Sequence, residues 1–392
     1  MDWKSTTFNV LKELIAIPSI NPGDQETFSH PYGEKAVGDK LLSLIERELP
    51  DLTCWKEEVL PTRFNCYAHY FRGDEYPTVL LETHLDTVDV KGMNIDPFVL
   101  KEKDGKWYGR GACDAKGQLT AMLMGIKKAL VESNGLLPVN ILLAAVVDEE
   151  HKHRGVDYLV NNDIKADVAI VGEPTQLRFG AFHKGSIRFT VETRGKAAHS
   201  SNPWSGENAI EKMSDIIQVL KREVKEATES ISHPLCGVSS LSVTLVSGGE
   251  QVNIIPTSCL IHVDRRLNPQ EQWQQVLKDI KAMVKDKVED SIWRDIIWHD
   301  PYLVDPPLSN ELDNTALQEV NRIMKKDIPN FEFVGLQYGC DASKIEPANI
   351  PTFVFGPGNI DQAHTAEEWI AEIDVLKAIG IYSNLLQQLY RN

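Results

Sequence analysis

The chain has 392 residues, and its 41 lysines and arginines against 57 aspartates and glutamates give a formal net charge of −16. A chain of this length is too long to fold around a single hydrophobic core of ordinary size, so two domains are expected. The acidic balance argues against binding to nucleic acid or to anionic membranes, since both need a basic face. With 42% hydrophobic and 25% charged residues, the composition is typical of a soluble globular protein.

The N-terminal residues and the cysteines indicate the cellular compartment of the protein. Residues Met1–Lys4 lack the basic start and the apolar run of a signal peptide, and no apolar stretch approaches the roughly 20 residues that a membrane helix needs. The six cysteines are scattered, without a C-x-x-C pair, which is typical of reduced thiols rather than of a disulfide framework. These features predict a cytoplasmic protein.

Residues 1–178 alternate helical and strand patterns. Apolar residues at helical spacing predict helices over residues 8–17, 36–49 and 116–131. Short, continuous apolar runs predict buried strands at residues 79–81, 139–147 and 168–171. Helices that alternate with such strands predict an α/β fold, in which a mostly parallel sheet carries helices on both faces.

The pattern changes after about residue 182. Alternating strands and amphipathic helices follow, at residues 186–193, 207–228, 239–246, 258–266 and 269–288. Alternation along the strands predicts a smaller α+β domain whose sheet has one partly open face. The buried pattern then returns, with a helix at 310–326 and a strand at 350–355. The sequence therefore predicts one α/β domain, residues 1–181 and 298–392, which is interrupted by a second domain at residues 182–297.

Polar residues follow several of the predicted buried strands. The run Val79–Leu81 leads into Glu82-Thr83-His84-Leu85-Asp86, in which His84 and Asp86 point to the same side. A neutral imidazole can bind a metal through one nitrogen while its other nitrogen donates to a carboxylate. Taken alone, an H-x-D pair is a weak signal, because it is more often a cap or a surface pair.

The strand at residues 139–147 ends in Asp148-Glu149-Glu150. Three adjacent acids often form a solvated loop. Here the almost wholly apolar strand before them favours the carboxyl edge of an α/β sheet, where ligands bind. Because adjacent carboxylates diverge, Glu149 and Glu150 can serve different roles, one on a metal and the other on a proton.

Three further residues occupy comparable positions. Glu173 follows the strand at 168–171, His364 comes after the strand at 350–355, and Asp114 precedes a predicted helix, where an N-cap would also explain it. Two histidines and several carboxylates without cysteine suit Zn²⁺, Co²⁺ or Mn²⁺. Enough ligands for two ions, with one carboxylate bridging, describe a two-metal hydrolase. The chain has no G-x-S-x-G, Walker or G-x-G-x-x-G motif that would indicate other chemistry.

The order of these motifs resembles the M20 family of metallopeptidases and amidohydrolases. The matching segments are H-x-D at 84–86, G-R-G-x-x-D-x-K-G at 109–117, D-E-E at 148–150, G-E-P-T at 172–175, G-K-x-x-H-S at 195–200 and G-P-G…A-H at 356–364. They run from His84 to Glu368 in the family's order, and the interior and terminal segments are also compatible, so the resemblance covers nearly the whole chain. Within the family they resemble the acetylornithine deacetylase and succinyl-diaminopimelate desuccinylase branches, and several segments lean towards the former.

The resemblance implies a pair of divalent metal ions, with Zn²⁺ as the first choice and Co²⁺ or Mn²⁺ as alternatives. Asp114 would bridge the two ions. His84 and Glu173 would complete the shell of one ion, and Glu150 and His364 would complete the shell of the other.

It also implies how the remaining polar residues act. Glu149 would be the general base, and Asp86 would orient the histidine two residues before it. The second domain would be a lid that also forms a homodimer interface, with His199 stabilising the oxyanion, in some relatives within the partner subunit's site. Asn253 and Arg266 would bind the substrate carboxylate.

Some positions lie outside this pattern. Cys113 and Ala115 depart from the residues that are commonest beside the bridging aspartate, and Cys340-Asp341 is only loosely matched. These departures leave the metal ligands untouched and the exact substrate open. Lys152 and Arg154 each follow one of the histidines His151 and His153, and these neighbouring charges predict a solvated turn. For Lys184, which lies beside the predicted domain boundary, the sequence leaves both a direct and a structural role open.

The implied activity is hydrolysis of the amide bond of an N-acyl amino acid. The first substrate would be N-acetylornithine, an intermediate of arginine biosynthesis, split into acetate and ornithine by water that the metals activate. A desuccinylase, a dipeptidase or a carboxypeptidase of the same family are alternatives. A non-catalytic binding protein on the same fold is an alternative from a different class. The expected partners are a small-molecule substrate and a second copy of the chain, and neither nucleic acid nor a membrane.

Overall fold

The structure is a computed structural model that describes residues 2–24, 33–162 and 164–391. The chain divides into two compact units: unit 1 comprises Met1–Ala181, Asn310–Val334 and Cys340–Asn392, and unit 2 comprises Phe182–Ser309 and Gly335–Gly339. The sequence predicts the return to the first domain at residue 298, whereas unit 2 continues to Ser309. The reason is that the short strand Leu303–Asp305 pairs with the unit 2 strand Gly185–Arg194, and that Leu308–Ser309 pairs with His183 and Phe182 of the same unit.

The regular elements are numbered in chain order. The α-helices are α1 Trp3–Ile15, α2 Lys35–Glu48, α3 Lys116–Glu132, α4 Arg154–Asn161, α5 Ala209–Val219, α6 Lys225–Glu229, α7 Trp273–Lys287, α8 Asp290–Arg294, α9 Thr315–Asp327, α10 Ala342–Ile345 and α11 Glu372–Gln388. The strands are β1 Thr53–Leu60, β2 Arg63–Tyr70, β3 Thr78–His84, β4 Lys101–Lys103, β5 Lys106–Tyr108, β6 Asn140–Val146, β7 Val168–Val171, β8 Gly180–His183, β9 Gly185–Arg194, β10 Ser232–His233, β11 Gly237–Val238, β12 Ser240–Gly248, β13 Ser258–Leu267, β14 Ile296–Trp298, β15 Leu303–Asp305, β16 Leu308–Ser309, β17 Val334–Leu336, β18 Thr352–Val354 and β19 Trp369–Ala371.

Unit 1 is built on a sheet with the strand order β1-β2-β6-β3-β7-β18. The four strands β6, β3, β7 and β18 are parallel to one another, and β1 and β2 add an antiparallel edge. The register places His84 opposite Val146, and Val354 opposite Val171. The sheet therefore confirms the predicted α/β class, and it aligns the carboxyl ends of β3, β6 and β7.

Burial explains why these strands read as continuous apolar runs. Every residue of β7 is buried, and so is every residue of β3 after Thr78, as expected of parallel strands that are covered on both faces. Helices α3 and α11 approach closely at Gly125, where a Cβ atom would lie 2.5 Å from the Cβ of Tyr382. This contact requires a glycine, which the helical pattern alone does not predict.

Unit 2 contains an antiparallel sheet with the order β12-β13-β9-β14, and β15 also pairs with β9. Strands β9 and β13 alternate between buried and partly buried residues, with Ile187, Phe189 and Val191 of β9 on the buried side. These three side chains belong to one apolar core with Met213 and Ile216 of α5. The opposite face of the sheet is more open, as the alternating pattern predicts.

Among the described residues, no helix combines the length and the apolar character needed to cross a membrane.

Candidate active site

Three neighbouring parallel strands bring acidic and histidine side chains to one edge of the unit 1 sheet. His84 is the last residue of β3, Glu149 and Glu150 follow β6, and Glu173 follows β7. The carboxyl ends of parallel strands meet at the same edge, which is where α/β sheets bind their ligands. The strand order therefore brings together groups that lie far apart in the sequence.

Asp114 lies at the centre of this cluster, just before α3. Its Oδ1 is 2.9 Å from Nε2 of His84, and its Oδ2 is 3.3 Å from Nε2 of His364. The same His364 nitrogen is 3.0 Å from Oε1 of Glu150. Each oxygen of the Asp114 carboxylate thus faces a different imidazole, which is the arrangement that a carboxylate shared by two cations requires.

Glu173 completes the cluster on the side of His84. Its Oε1 is 3.9 Å from Nε2 of His84, and the residue is buried. Separately, His84, Asp114 and Glu150 offer ligand atoms that all lie within 4.8 Å of one another. All five residues that the sequence predicts as metal ligands are therefore neighbours in unit 1.

The protonation equilibria of the cluster reflect an excess of buried negative charge. Burial raises the pKa of the Glu173 carboxyl well above its ordinary value, and the nearby Asp114 carboxylate adds to this effect. Hydrogen bonds to Asp114 and Glu150 raise the pKa of His364 to about 10. Burial would lower the pKa of His84, but its hydrogen bonds to Asp114 and Asp86 raise it well above the ordinary value. The cluster therefore favours bound positive charge.

The donor set fits divalent ions. Imidazole nitrogens and carboxylate oxygens without thiolates suit Zn²⁺, Co²⁺ and Mn²⁺. Buried carboxylates are costly unless they are paired or coordinate metals, and four acidic and imidazole groups here converge around the Asp114 carboxylate. The residues present thus fit a pair of cations that share Asp114.

Asp86 contacts the neighbouring His84 and also forms hydrogen bonds with a second group of residues. Nδ1 of His84 is 2.9 Å from the Asp86 backbone oxygen and 3.5 Å from Oδ1 of its carboxylate. The carboxylate also accepts hydrogen bonds from the backbone N–H groups of Glu149 (3.2 Å) and Glu150 (3.0 Å) and from the Asn21 amide (2.7 Å). Asp86 therefore ties the end of β3 to the turn after β6, and the H-x-D pattern does not predict this second connection.

A buried network supports this turn from behind. The Asp148 carboxylate accepts hydrogen bonds from Nη2 of Arg63 (3.0 Å) and from the Asn21 amide (3.1 Å). Arg63 also binds the carboxylate of Glu34 through two of its nitrogens. No local pattern in the sequence identifies Asn21, Glu34 or Arg63, because their partners lie far away along the chain.

Glu149 belongs to a neighbouring group. Its Oε1 is 3.8 Å from Nδ1 of His153, and that nitrogen is 2.7 Å from Oδ1 of Asp341. Burial raises the pKa of Glu149 well above its ordinary value. The prediction of a solvated turn holds for His151, which is 3.1 Å from the exposed Asp24. It is wrong for His153, which is buried.

The remaining predicted site residues belong to unit 2. His199 and Asn253 are exposed and lie on adjoining segments, because the Ser200 N–H donates to the Asn253 carbonyl at 3.0 Å. Nδ1 of His199 is 2.8 Å from the Ser201 hydroxyl. Near the end of β13, the Arg266 guanidinium donates from Nε to Oδ1 of Asp264 at 2.9 Å. These three residues thus have local partners within unit 2.

Comparison with known proteins identifies the family. The sequence profile of peptidase family M20/M25/M40 matches residues 80–388. The chain belongs to this family. This M20 protein is therefore a metal-dependent hydrolase of the amidohydrolase type, which confirms the predicted family and enzyme class.

Individual relatives of this M20 protein cover most of its length. The acetylornithine deacetylase of Pasteurella multocida is 30% identical over 391 residues, which span 96% of each chain. A probable succinyl-diaminopimelate desuccinylase of Staphylococcus epidermidis is 29% identical over 348 residues, which span 80% of this chain and 84% of the relative. The structure of the M20 family metallo-carboxypeptidase Sso-CP2 from Sulfolobus solfataricus aligns with a TM-score of 0.73 at 19% identity, over 99% of both chains. The last similarity concerns the fold alone.

Proposed function

We propose that this M20 hydrolase removes the acyl group from an N-acyl amino acid, and that N-acetylornithine is its substrate, yielding acetate and ornithine. The observation that supports this proposal most directly is the Asp114 carboxylate, whose two oxygens face His84 and His364. The similarity to acetylornithine deacetylase over almost the entire length supports this choice of substrate.

Five residues would hold two divalent ions, of which Zn²⁺ is our first choice and Co²⁺ or Mn²⁺ are alternatives. Asp114 would be shared, with His84 and Glu173 on one side and Glu150 and His364 on the other. When bound, such ions polarise an amide carbonyl and lower the pKa of water from 15.7 to about 7. The buried carboxylates keep these positions fixed before substrate arrives.

Glu149 would act as the general base. Its carboxylate would take a proton from the attacking water at Oε1 or Oε2 and return it to the nitrogen of the leaving amine. Asp86 would hold the backbone of Glu149 and Glu150 in place during this proton transfer, because its carboxylate accepts hydrogen bonds from both of their N–H groups. Glu149 and Glu150 would thus serve different tasks from adjacent positions.

Residues of unit 2 would recognise the substrate. His199 would donate a hydrogen bond to the oxygen that becomes negatively charged during attack. Arg266 would bind the substrate carboxylate through two parallel N–H groups, a geometry that lysine does not offer, and Asn253 would assist it.

The test is turnover of a substrate panel by protein that is first freed of metal and then supplied with Zn²⁺ or Co²⁺. N-acetylornithine should be hydrolysed with the highest kcat/KM, ahead of N-succinyl-diaminopimelate and unblocked dipeptides. The matched control is Glu149→Gln, which keeps the size of the side chain and removes the base. Comparable turnover in that control would assign any activity to a contaminant.

The similarity to a probable desuccinylase favours one second candidate, removal of a succinyl group. Preferred turnover of the succinyl substrate would replace our choice. Preferred turnover of dipeptides would indicate a peptidase. Binding without turnover would indicate a non-catalytic protein.

We also propose that the enzyme is a cytoplasmic homodimer that associates through unit 2. The edge strand β12 supports this proposal, because its Leu245 and Val246 side chains are exposed, and an exposed apolar edge strand is a template for pairing with another chain. The mass in solution, measured by light scattering for the parent and for Leu245→Lys, tests the assembly. A monomeric parent would contradict it.

A further inference from the structure

Glu368 has no role in the function proposed above, yet it is fully buried in unit 1. It immediately precedes β19, which pairs antiparallel with β5, so that Trp369 lies opposite Tyr108. The pairing continues one residue further, because the Gly109 N–H donates to the Glu368 carbonyl at 3.1 Å. The Glu368 backbone is therefore anchored at the start of the loop that leads to Asp114.

The side chain of Glu368 binds the rest of that loop. Its Oε1 accepts hydrogen bonds from the backbone N–H groups of Cys113 (2.8 Å) and Asp114 (3.0 Å). Its Oε2 accepts from the Gly111 N–H (3.0 Å) and from Nη1 of Arg110 (2.7 Å). One carboxylate thus gathers four donors from five consecutive residues.

These contacts exclude Glu368 as a further metal ligand. Each of its oxygens already accepts two hydrogen bonds at 2.7–3.0 Å, so the lone pairs that a cation would need are occupied. A buried carboxylate also needs compensation for the lost hydration, and the Arg110 guanidinium supplies it. The carboxylate is therefore suited to hold backbone rather than to bind a ligand.

The segment that carries Glu368 also carries His364. His364 has a positive φ of 59°, and the following Ala366 carbonyl accepts a hydrogen bond from the Asn94 N–H at 3.0 Å. At one end of the segment His364 faces Oδ2 of Asp114 at 3.3 Å. At the other end Glu368 binds the Asp114 backbone N–H. One segment thus contacts both parts of Asp114: His364 faces its side chain, and Glu368 binds its main chain.

We propose that Glu368 is a positioning residue that holds Asp114 against His364 and thereby sets the affinity of the site for its metal ions. The inference rests on the proposed function in one respect, the assignment of Asp114 and His364 as ligands. Partners behind metal ligands typically change metal affinity by about 10- to 100-fold when they are removed. Glu368 belongs to this group because its four bonds fix the loop that presents Asp114.

The substitution Glu368→Gln tests this positioning role most directly. The amide retains one oxygen, but its NH₂ group must then face two of the four donors, so that at least two hydrogen bonds are replaced by repulsion between N–H groups. Glu367→Gln is the matched control, because Glu367 is the preceding residue and is exposed. The control removes the same charge without touching the loop.

The measurement is a titration of metal-free protein with Co²⁺ alone, followed by visible absorption and by calorimetry. We expect Glu368→Gln to bind Co²⁺ about 10- to 100-fold more weakly than the parent, and Glu367→Gln to bind like the parent. At saturating Co²⁺ the kcat of Glu368→Gln should recover with KM unchanged. Because Co²⁺ that binds only the folded state would also rescue a destabilised variant, circular dichroism of the two metal-free variants must first show the fold of the parent. Co²⁺ affinity within twofold of the parent would overturn the proposal.

Two checks keep the outcomes separate. If metal-free Glu368→Gln fails to fold, Arg110→Lys replaces it, because this variant loses the Nη1 donor and keeps the charge. The same loss of Co²⁺ affinity, on a smaller scale, is then expected, and unchanged affinity would overturn the proposal. A parent that binds Co²⁺ but hydrolyses no amide would contradict the proposed function alone, since the affinities are measured without substrate.

Discussion

The candidate site residues of the two units differ in how they are held. In unit 1, His84 and Asp114 are buried and contact groups that are distant in sequence. In unit 2, His199 and Arg266 contact partners only two residues away, Ser201 and Asp264. Exposure separates the units less clearly, because the His364 side chain of unit 1 is 47% exposed and the Arg266 side chain of unit 2 is 33% exposed.

This difference matches two physical tasks. Metal ligands must keep their separations within tenths of an ångström, and long-range contacts inside a packed sheet edge provide such rigidity. A group that binds a carboxylate from solution must remain accessible and can exchange an intramolecular partner for the substrate. We therefore expect changes in unit 1 to act on metal binding and chemistry, and changes in unit 2 to act on substrate affinity and the transition state.

The largest effect should come from removal of metal. Dialysis against a chelator should abolish turnover, and Zn²⁺ or Co²⁺ should restore it, because the bound ions would polarise the amide carbonyl and lower the pKa of the attacking water. Circular dichroism during the same dialysis checks that the fold persists. Full activity in the presence of chelator would remove the basis for assigning a metal site to unit 1.

Glu149→Gln should come next. We expect kcat to fall by about 10²- to 10⁴-fold, the usual contribution of a positioned general base, while two Co²⁺ ions still bind. Stopped assays and a Co²⁺ titration on the same sample measure both quantities. A variant that loses its metal instead would place Glu149 among the ligands and contradict the division of tasks with Glu150.

His199→Ala tests the unit 2 side of the comparison. Loss of one donor to a developing oxyanion lowers kcat by about 10²- to 10³-fold, and metal affinity should remain that of the parent. Ser201→Ala is a suitable control, because it removes only the local partner of the imidazole. Weaker metal binding in His199→Ala would break the distinction between the units.

Arg266→Ala should have the smallest effect on the chemistry. We expect KM for substrates with an α-carboxylate to rise by about 10- to 100-fold, as hydrogen bonds to a charged group are worth about 1.5–3 kcal/mol. Arg266→Lys should recover little of this loss. Steady-state kinetics with N-acetylornithine and with its carboxamide show whether Arg266 contacts the carboxylate. An equal rise of KM for both substrates would argue against such a contact.

Much of the fold follows from local pattern. Continuous apolar runs predict the buried strands β3, β6 and β7, and alternation predicts the half-open sheet of unit 2. The short strands β14 and β15 are harder to predict, because three residues carry too little periodicity to show which sheet they join. They belong to unit 2 because they pair with β9.

The sequence by itself determined the chemical types at the strand ends and the order of the family motifs, because these depend on residue identity and on short spacings. Only the tertiary structure decided that His153 is buried against Asp341, and that Glu368 binds the backbone of Asp114 from 254 residues away. Such contacts join a side chain to a distant backbone N–H group or to a single distant side chain. They leave no periodic trace in the sequence, because any residue except proline can supply a backbone N–H donor and only the folded sheet brings it within reach.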